Sequence, residues 1–156
     1  MQYLKTLIFG LVVIGAGVIS SCGEDVQLPA KVLQGTIDST EWTFTVGKAL
    51  SDRVENVYNV ELFNFPNFTQ NEGCVLFGGN QPFVSVNIPF GTGNSQQLNA
   101  TTAQLVFHID GRNEFTADNG FVEVSFINTT EIRGFISAGS GNRNSVEGFF
   151  SVLICN

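Results

Sequence analysis

Histidine occurs once, as His108, tryptophan once, as Trp42, and 7 Lys and Arg face 14 Asp and Glu. Each scarcity excludes something. A single histidine, with no CxxC spacing among three cysteines, argues against a bound metal, because zinc sites need several Cys or His ligands at short paired spacings. The deficit of basic residues argues against nucleic acid, whose affinity comes from cations clustered on phosphates. It argues equally against anionic lipid head groups. No G-x-S-x-G nucleophile elbow occurs. Gly91-Thr92-Gly93 lacks the lysine and following helix of a phosphate-binding loop. No long amphipathic helix can be traced, and no apolar run reaches the roughly 20 residues of a comfortable membrane span.

One apolar run is present nevertheless. Residues 7–19 are uninterrupted apolar and glycine positions behind Lys5, and Ser20 and Ser21 follow before Cys22. A basic start, a short apolar stretch and a small-residue end make 1–21 a cleavable export signal. Ile19-Ser20-Ser21-Cys22 resembles the lipobox of bacterial lipoproteins. The resemblance implies a diacylglycerol-modified Cys22 thiol, cleavage just before it, and a membrane anchor. Each buried CH₂ of such a lipid contributes about 0.8 kcal/mol. Gly23-Glu24-Asp25 resembles the surface-export signal of Bacteroidota lipoproteins, which implies the outer membrane, with surface display favoured over a periplasm-facing site. Residues 22–31 then form an acylated tether and 32–156 a single domain.

Loss of 1–21 leaves 135 of the 156 residues, with 6 basic and 14 acidic groups and a formal charge of −8. That length is one domain, able to bury about two-thirds of its unfolded surface. Cys74 and Cys155 remain after Cys22 is consumed, and outside the inner membrane such a pair is expected to be a disulfide.

The mature chain is rich in Phe, Val, Ile, Thr, Asn and Gly, which is strand composition with turn punctuation. Period-two alternation recurs between turn signals. Strands are expected at 32–38, 41–46, 56–65, 74–77, 83–89, 103–109, 120–128, 131–138 and 144–155, with 47–55 a polar stretch holding one turn of helix and 91–100 a loop. Val122, Val124 and Phe126 are expected on an inner face. The last strand is apolar on both faces, as a central strand is. Gly134-Phe135-Ile136-Ser137 and Gly148-Phe149-Phe150-Ser151 place glycines at matched positions, the mark of a sheet that curls. The fold expected is an all-β antiparallel sandwich of about nine strands, with a closed β-barrel as the alternative.

Gly35-Thr36-Ile37-Asp38, Glu41-Trp42-Thr43 and Val146-Glu147-Gly148-Phe149-Phe150 resemble the opening and closing strands of small β-rich Bacteroidota lipoproteins. That resemblance implies an all-β fold and no particular chemistry. Asp38-Ser39-Thr40 resembles a short O-glycosylation site of exported Bacteroidota proteins and implies glycan on Ser39.

Candidates for chemistry are sparse. His108 reads as an exposed strand histidine with Asp110 on the same face. The oxygen-rich loop from Asp110 to Asp118 has hard ligands of the kind calcium takes, but Asp-Gly and Asn-Gly are also hairpin-turn chemistry, and a turn is the stronger reading. Of 15 phenylalanines, Phe65, Phe68, Phe90 and Phe115 lie in or beside loops and are candidate contact residues. No cofactor, metal or catalytic residue is expected. The function expected is a non-enzymatic, lipid-anchored binding or interaction domain of the cell envelope. It meets the membrane through Cys22 and a protein or glycan ligand through its surface. The alternatives are an accessory lipoprotein of an envelope complex and a small-ligand-carrying β-barrel. Cells fed labelled palmitate should label the wild-type chain and not Cys22→Ser; label retained by that variant refutes the anchor.

Overall fold

The computed structural model describes residues 31–69, 72–75 and 80–155. The signal 1–21, Cys22 and the tether up to residue 30 lie outside the described residues. Within the described residues the domain is all-β. Its eleven strands are β1 Gln34–Ile37, β2 Thr40–Thr43, β3 Val46–Asp52, β4 Val57–Phe63, β5 Phe83–Pro89, β6 Gln96–Asn99, β7 Val106–His108, β8 Glu114–Thr116, β9 Asn119–Ile127, β10 Glu131–Ser140 and β11 Asn144–Cys155.

Nine of them follow one hydrogen-bonded path, β6-β9-β10-β11-β3-β4-β5-β7-β8, with β1 paired to β11 and β2 to β1. The sheet is open, strongly curled, and antiparallel except where β11 runs parallel to β3. That parallel pair departs from the fully antiparallel expectation. It arises because β1 runs antiparallel to β11 at residues 145–147 and the β1–β2 hairpin then reverses the chain, so β3 joins the same edge further along, at 153–155, in the direction of β11. The two ends of the path meet through short links. Ala117 N–H donates to Leu105 O at 2.8 Å and Leu105 N–H to Ala100 O at 2.9 Å. Ala100, Ala103, Leu105 and Ala117 are buried at this seam, where small side chains let backbones approach. The ladder itself does not close, so the two halves face each other across one core as sandwich layers do.

Alternation builds that core. Val60, Leu62, Val84, Val86, Ile88 and Phe107 point inward from one half, and Val122, Val124, Ile132, Ile136, Val146 and Val152 from the other. Full burial of each large side chain stabilises by about 1.5–3 kcal/mol. The two matched glycines sit where other chain segments pack closely against them. A Cβ on Gly134 would stand 2.3 Å from Glu123 O and 2.8 Å from the Phe150 ring. Gly148 has φ +142° and would meet Leu33 Cα at 2.6 Å. The β1–β2 hairpin turns on Asp38 and Ser39, both at positive φ, 49° and 64°, as a two-residue type I′ loop requires.

Several local expectations need correction. Residues 47–52 are not helical; they belong to β3, because Lys48 finds Glu61 directly opposite on β4, at 3.1 Å, and both lie in a paired ladder. Cys74 and Val75 lie in a turn rather than a strand, and residues 76–77 lie outside the described residues. The 91–100 loop contains β6, and β8 was not anticipated; both are short edge strands, β6 paired with β9 and β8 with β7 across the 109–113 turn. The strand at 103–109 shrinks to β7 because Ala103 and Leu105 form the seam. Phe126 points outward, 36 % exposed. The β9–β10 register shifts between Arg133 and Gly134, leaving Ser125 as an extra residue, and such a bulge reverses every later side chain.

Cys74 and Cys155 stand at disulfide distance, with Cα atoms 5.5 Å apart and a sequence separation of 81. The bond ties the end of β11 to the segment that follows β4. Chain entropy assigns such a closure about 4–5 kcal/mol. Reduction should therefore lower the urea midpoint markedly; an unchanged midpoint would show that the bridge contributes nothing to stability.

Candidate functional site

In β9, β10 and β11 the inward positions are mostly Val, Ile and Gly, with Phe150, and the outward positions carry an aromatic row. Phe135 lies directly opposite Phe149, and Ser137, its neighbour on the same face, lies opposite Phe121. The Phe121 and Phe135 rings stack at 5.9 Å and the Phe135 and Phe149 rings meet edge-on at 4.9 Å. Val32, 50 % exposed, bridges to Phe149, which is 44 % exposed. Phe121 and Phe135 are half-buried; isolated exposed apolar residues are ordinary, whereas adjoining ones on one face are a candidate contact surface. The flanks are polar: Glu123, Ser137 and Glu147 share this face. A groove of about 540 Å³ runs along one side, lined by Val32, Arg133, Gly134, Phe149 and Phe150 among others. A polar notch of about 450 Å³, lined by Gln34, Asn119, Ser137 and Glu147 among others, lies on the other side.

The groove carries a fixed charge pair. Arg133 donates from Nε and Nη2 to the two Glu131 carboxylate oxygens, at 2.8 Å each. Ser151 donates a further hydrogen bond to Glu131. These bonds, the guanidinium first, hold the Glu131 carboxyl below its ordinary pKa, and Glu131 in turn raises that of Arg133. The guanidinium also lies over the Phe126 ring, 5.3 Å from its centroid, within cation–π range.

The four loop phenylalanines expected as contacts occupy three separate places. Phe65 and Phe68 pack together at 5.6 Å beyond β4, with Phe65 stacked on Phe63 at 5.4 Å. Phe90 leans on Tyr58 at 4.7 Å. Phe115 stands on edge strand β8. Phe68, Phe90 and Phe115 are exposed, whereas Phe65 is half-buried. Ser39 is exposed at the β1–β2 turn, beside an Asp38–Arg143 ion pair at 3.0 Å. Asp110 accepts from the backbone N–H of Arg112 and of Asn113, at 3.2 and 2.9 Å. Those bonds lower its pKa, that to Asn113 most. Asp118 accepts from Gly141 N–H at 3.1 Å. Both carboxylates thus serve turns, and among the described residues no three His, Cys, Asp or Glu side chains converge as metal ligands.

His108 is not the exposed strand histidine expected from sequence. Its side chain is 14 % exposed. The ring stacks on Phe83 at 4.0 Å, Nε2 shares a hydrogen bond with Ser85 Oγ at 2.8 Å, and Nδ1 lies 3.0 Å from Glu114 Oε1. Pairing brings these residues together, since Phe83 faces His108 and His108 faces Glu114. Serine, histidine and carboxylate stand in the bonding order of an acyl-transfer relay. Ser85 nonetheless lies mid-strand, paired with Glu61 on one side and Val106 on the other. Backbone N–H groups committed to ladders cannot form an oxyanion hole.

Phe121, Phe135 and Phe149 were not anticipated as contact residues. The two related Gly-Phe segments carried the signal. In each the glycine faces the core and the next residue faces out, and the two outward phenylalanines, Phe135 and Phe149, are direct partners. Comparison with protein-family models, curated proteins and solved structures finds no match to this chain.

A carboxylate with a lowered folded-state pKa stabilises above its unfolded pKa, and the contribution is lost as pH falls through the folded value. Wild-type stability should therefore fall more steeply than that of Glu131→Gln between about pH 5 and pH 3. Parallel urea midpoints across that window would show that the Glu131–Arg133–Ser151 cluster does not couple to folding.

Proposed function

We propose that this chain is a lipid-anchored, non-enzymatic interaction domain of the bacterial cell envelope, and that it works through the outward aromatic row of β9, β10 and β11. The observation that carries the reading is the row itself. Val32, Phe149, Phe135 and Phe121 form a contiguous apolar strip on a face that also carries Phe126 and Leu153 and is flanked by polar side chains such as Glu123, Ser137 and Glu147. Folding alone does not require phenylalanine at outward positions. A contact made after folding does.

Other features lean the same way. The relay-like trio of Ser85, His108 and Glu114 lies in paired strands without a nucleophile elbow, which favours a structural role. The inner side chains Val60, Leu62, Val84, Val86, Val122 and Val124 are fully buried. A cavity roomy enough for a carried ligand would leave accessible surface on its walls, so the small-ligand carrier loses support. An accessory role in an envelope complex uses the same row against a fixed protein partner and remains the second reading.

A photo-crosslinking residue at position 149, in intact cells, tests the proposal against the same residue at position 116 on β8, which is also exposed. Adducts concentrated at 149 are the expected outcome. No adduct at 149, or equal adducts at both positions, refutes the row as the working surface.

A further inference from the structure

We infer that the occupant of the aromatic row is a zwitterionic lipid surface, the same membrane that holds the anchor, so that the domain lies with β9, β10 and β11 against the bilayer. The inference rests on the anchored reading above and specifies what its contact surface meets.

The place where the described chain begins is the first support. Lys31 O accepts a hydrogen bond from Phe149 N–H at 2.8 Å, and Val32 is bridged to the same residue. The chain therefore enters the domain beside the row. Lys31 is nine residues past Cys22. An extended chain of that length spans at most about 30 Å. An anchor this short keeps the row at an effective concentration near the millimolar range, so even weak affinity for the interface suffices to hold it there.

The chemistry of the face is the second support. Amphipathic surfaces lodge in the head-group region by burying aromatic and aliphatic groups while polar groups stay at the rim. Val32, Phe149, Phe135 and Phe121 supply the apolar strip, and Phe126 extends it under the Arg133 guanidinium. Both cations at the rim are paired, Lys31 with Glu147 at 3.8 Å and Arg133 with Glu131 at 2.8 Å. Glu123 adds one more carboxylate to this face. A surface with no cationic excess is repelled by anionic head groups and suits zwitterionic ones such as phosphatidylethanolamine.

The core dictates a control. The outer side of β3, β4 and β5 points away from that of β9, β10 and β11, because the inner sides of both groups share one core. Phe68, 39 % exposed, lies beyond the end of β4 in the first group.

The test uses the full mature chain, acylated in cells and reconstituted into vesicles of phosphatidylethanolamine and phosphatidylcholine carrying brominated acyl chains. Phe149→Trp and Phe68→Trp are compared, each above the constant signal of Trp42, which is buried. Bromine quenching at 149 should exceed that at 68 by at least about threefold if the row enters the interface. Equal quenching, or none at either position, overturns the docking while leaving the anchor intact, as do crosslinks from 149 that reach only protein. Mass spectrometry of the reconstituted chain separates the two failures. An acylated Cys22 without preferential quenching refutes the docking alone, and a Cys22 with no acyl chain refutes the anchored reading and the docking with it.

Discussion

Strand β11 is the constraint on which the rest depends. It pairs with β10 along ten residues, with β1 on its first half and with β3 at its end. Because β1 is antiparallel to β11 and the β1–β2 hairpin turns the chain back, β3 joins the same edge parallel to β11. Just before β1 the chain passes close over β11, and Gly148 permits that passage, because any side chain there would collide with the backbone of Val32 and Leu33. The disulfide at Cys155 then fixes the far end of the same strand. Tether, core and outer row are therefore all referred to one element.

That element also lets the outer face carry phenylalanine in mutual contact. Phe135 and Phe149 cover part of each other, and Phe121 covers part of Phe135, so each ring exposes less than it would alone. Cross-strand aromatic pairs add about 0.2–1 kcal/mol relative to alanine, a modest return on exposed apolar area. A sheet selected for folding alone gains more from threonine or a charged residue at such positions. The row makes physical sense as a surface that is covered when the protein is in place.

The opposite outer face shows a different solution. There the segment after β4 is tied down by Cys74, and Lys48, only 3 % exposed, is paired with Glu61. A buried ion pair costs desolvation that its attraction only partly offsets, and Asn59 Oδ1 is buried on the same face without a hydrogen-bond partner among the described residues. This face is closed by covalent and ionic ties, whereas the face of β9, β10 and β11 is left open. The two outer faces thus differ in how their side chains are covered.

Much of this was legible in the chain. Alternation located most strands, including β5 at its observed bounds and the β9–β10–β11 meander, and the turn residues Asp38 and Ser39 marked the first hairpin. Cysteine arithmetic paired Cys74 with Cys155, and the two-faced apolar pattern of 144–155 identified the central strand. The candidate surface was less legible, because alternation says that two faces exist but not which neighbour will cover each. Phe149 and Phe150 are equivalent in sequence; only the path of residues 31–33 and the partner strand β10 made one inward and the other outward. Lys48 read as polar loop until a distant glutamate was brought opposite, and Phe126 read as core until an unpaired Ser125 reversed the strand. Local sequence determined where the backbone extends and turns, since those preferences are set by each residue and its neighbours. Tertiary structure alone decided which side chains meet water, since burial depends on partners far away in the chain.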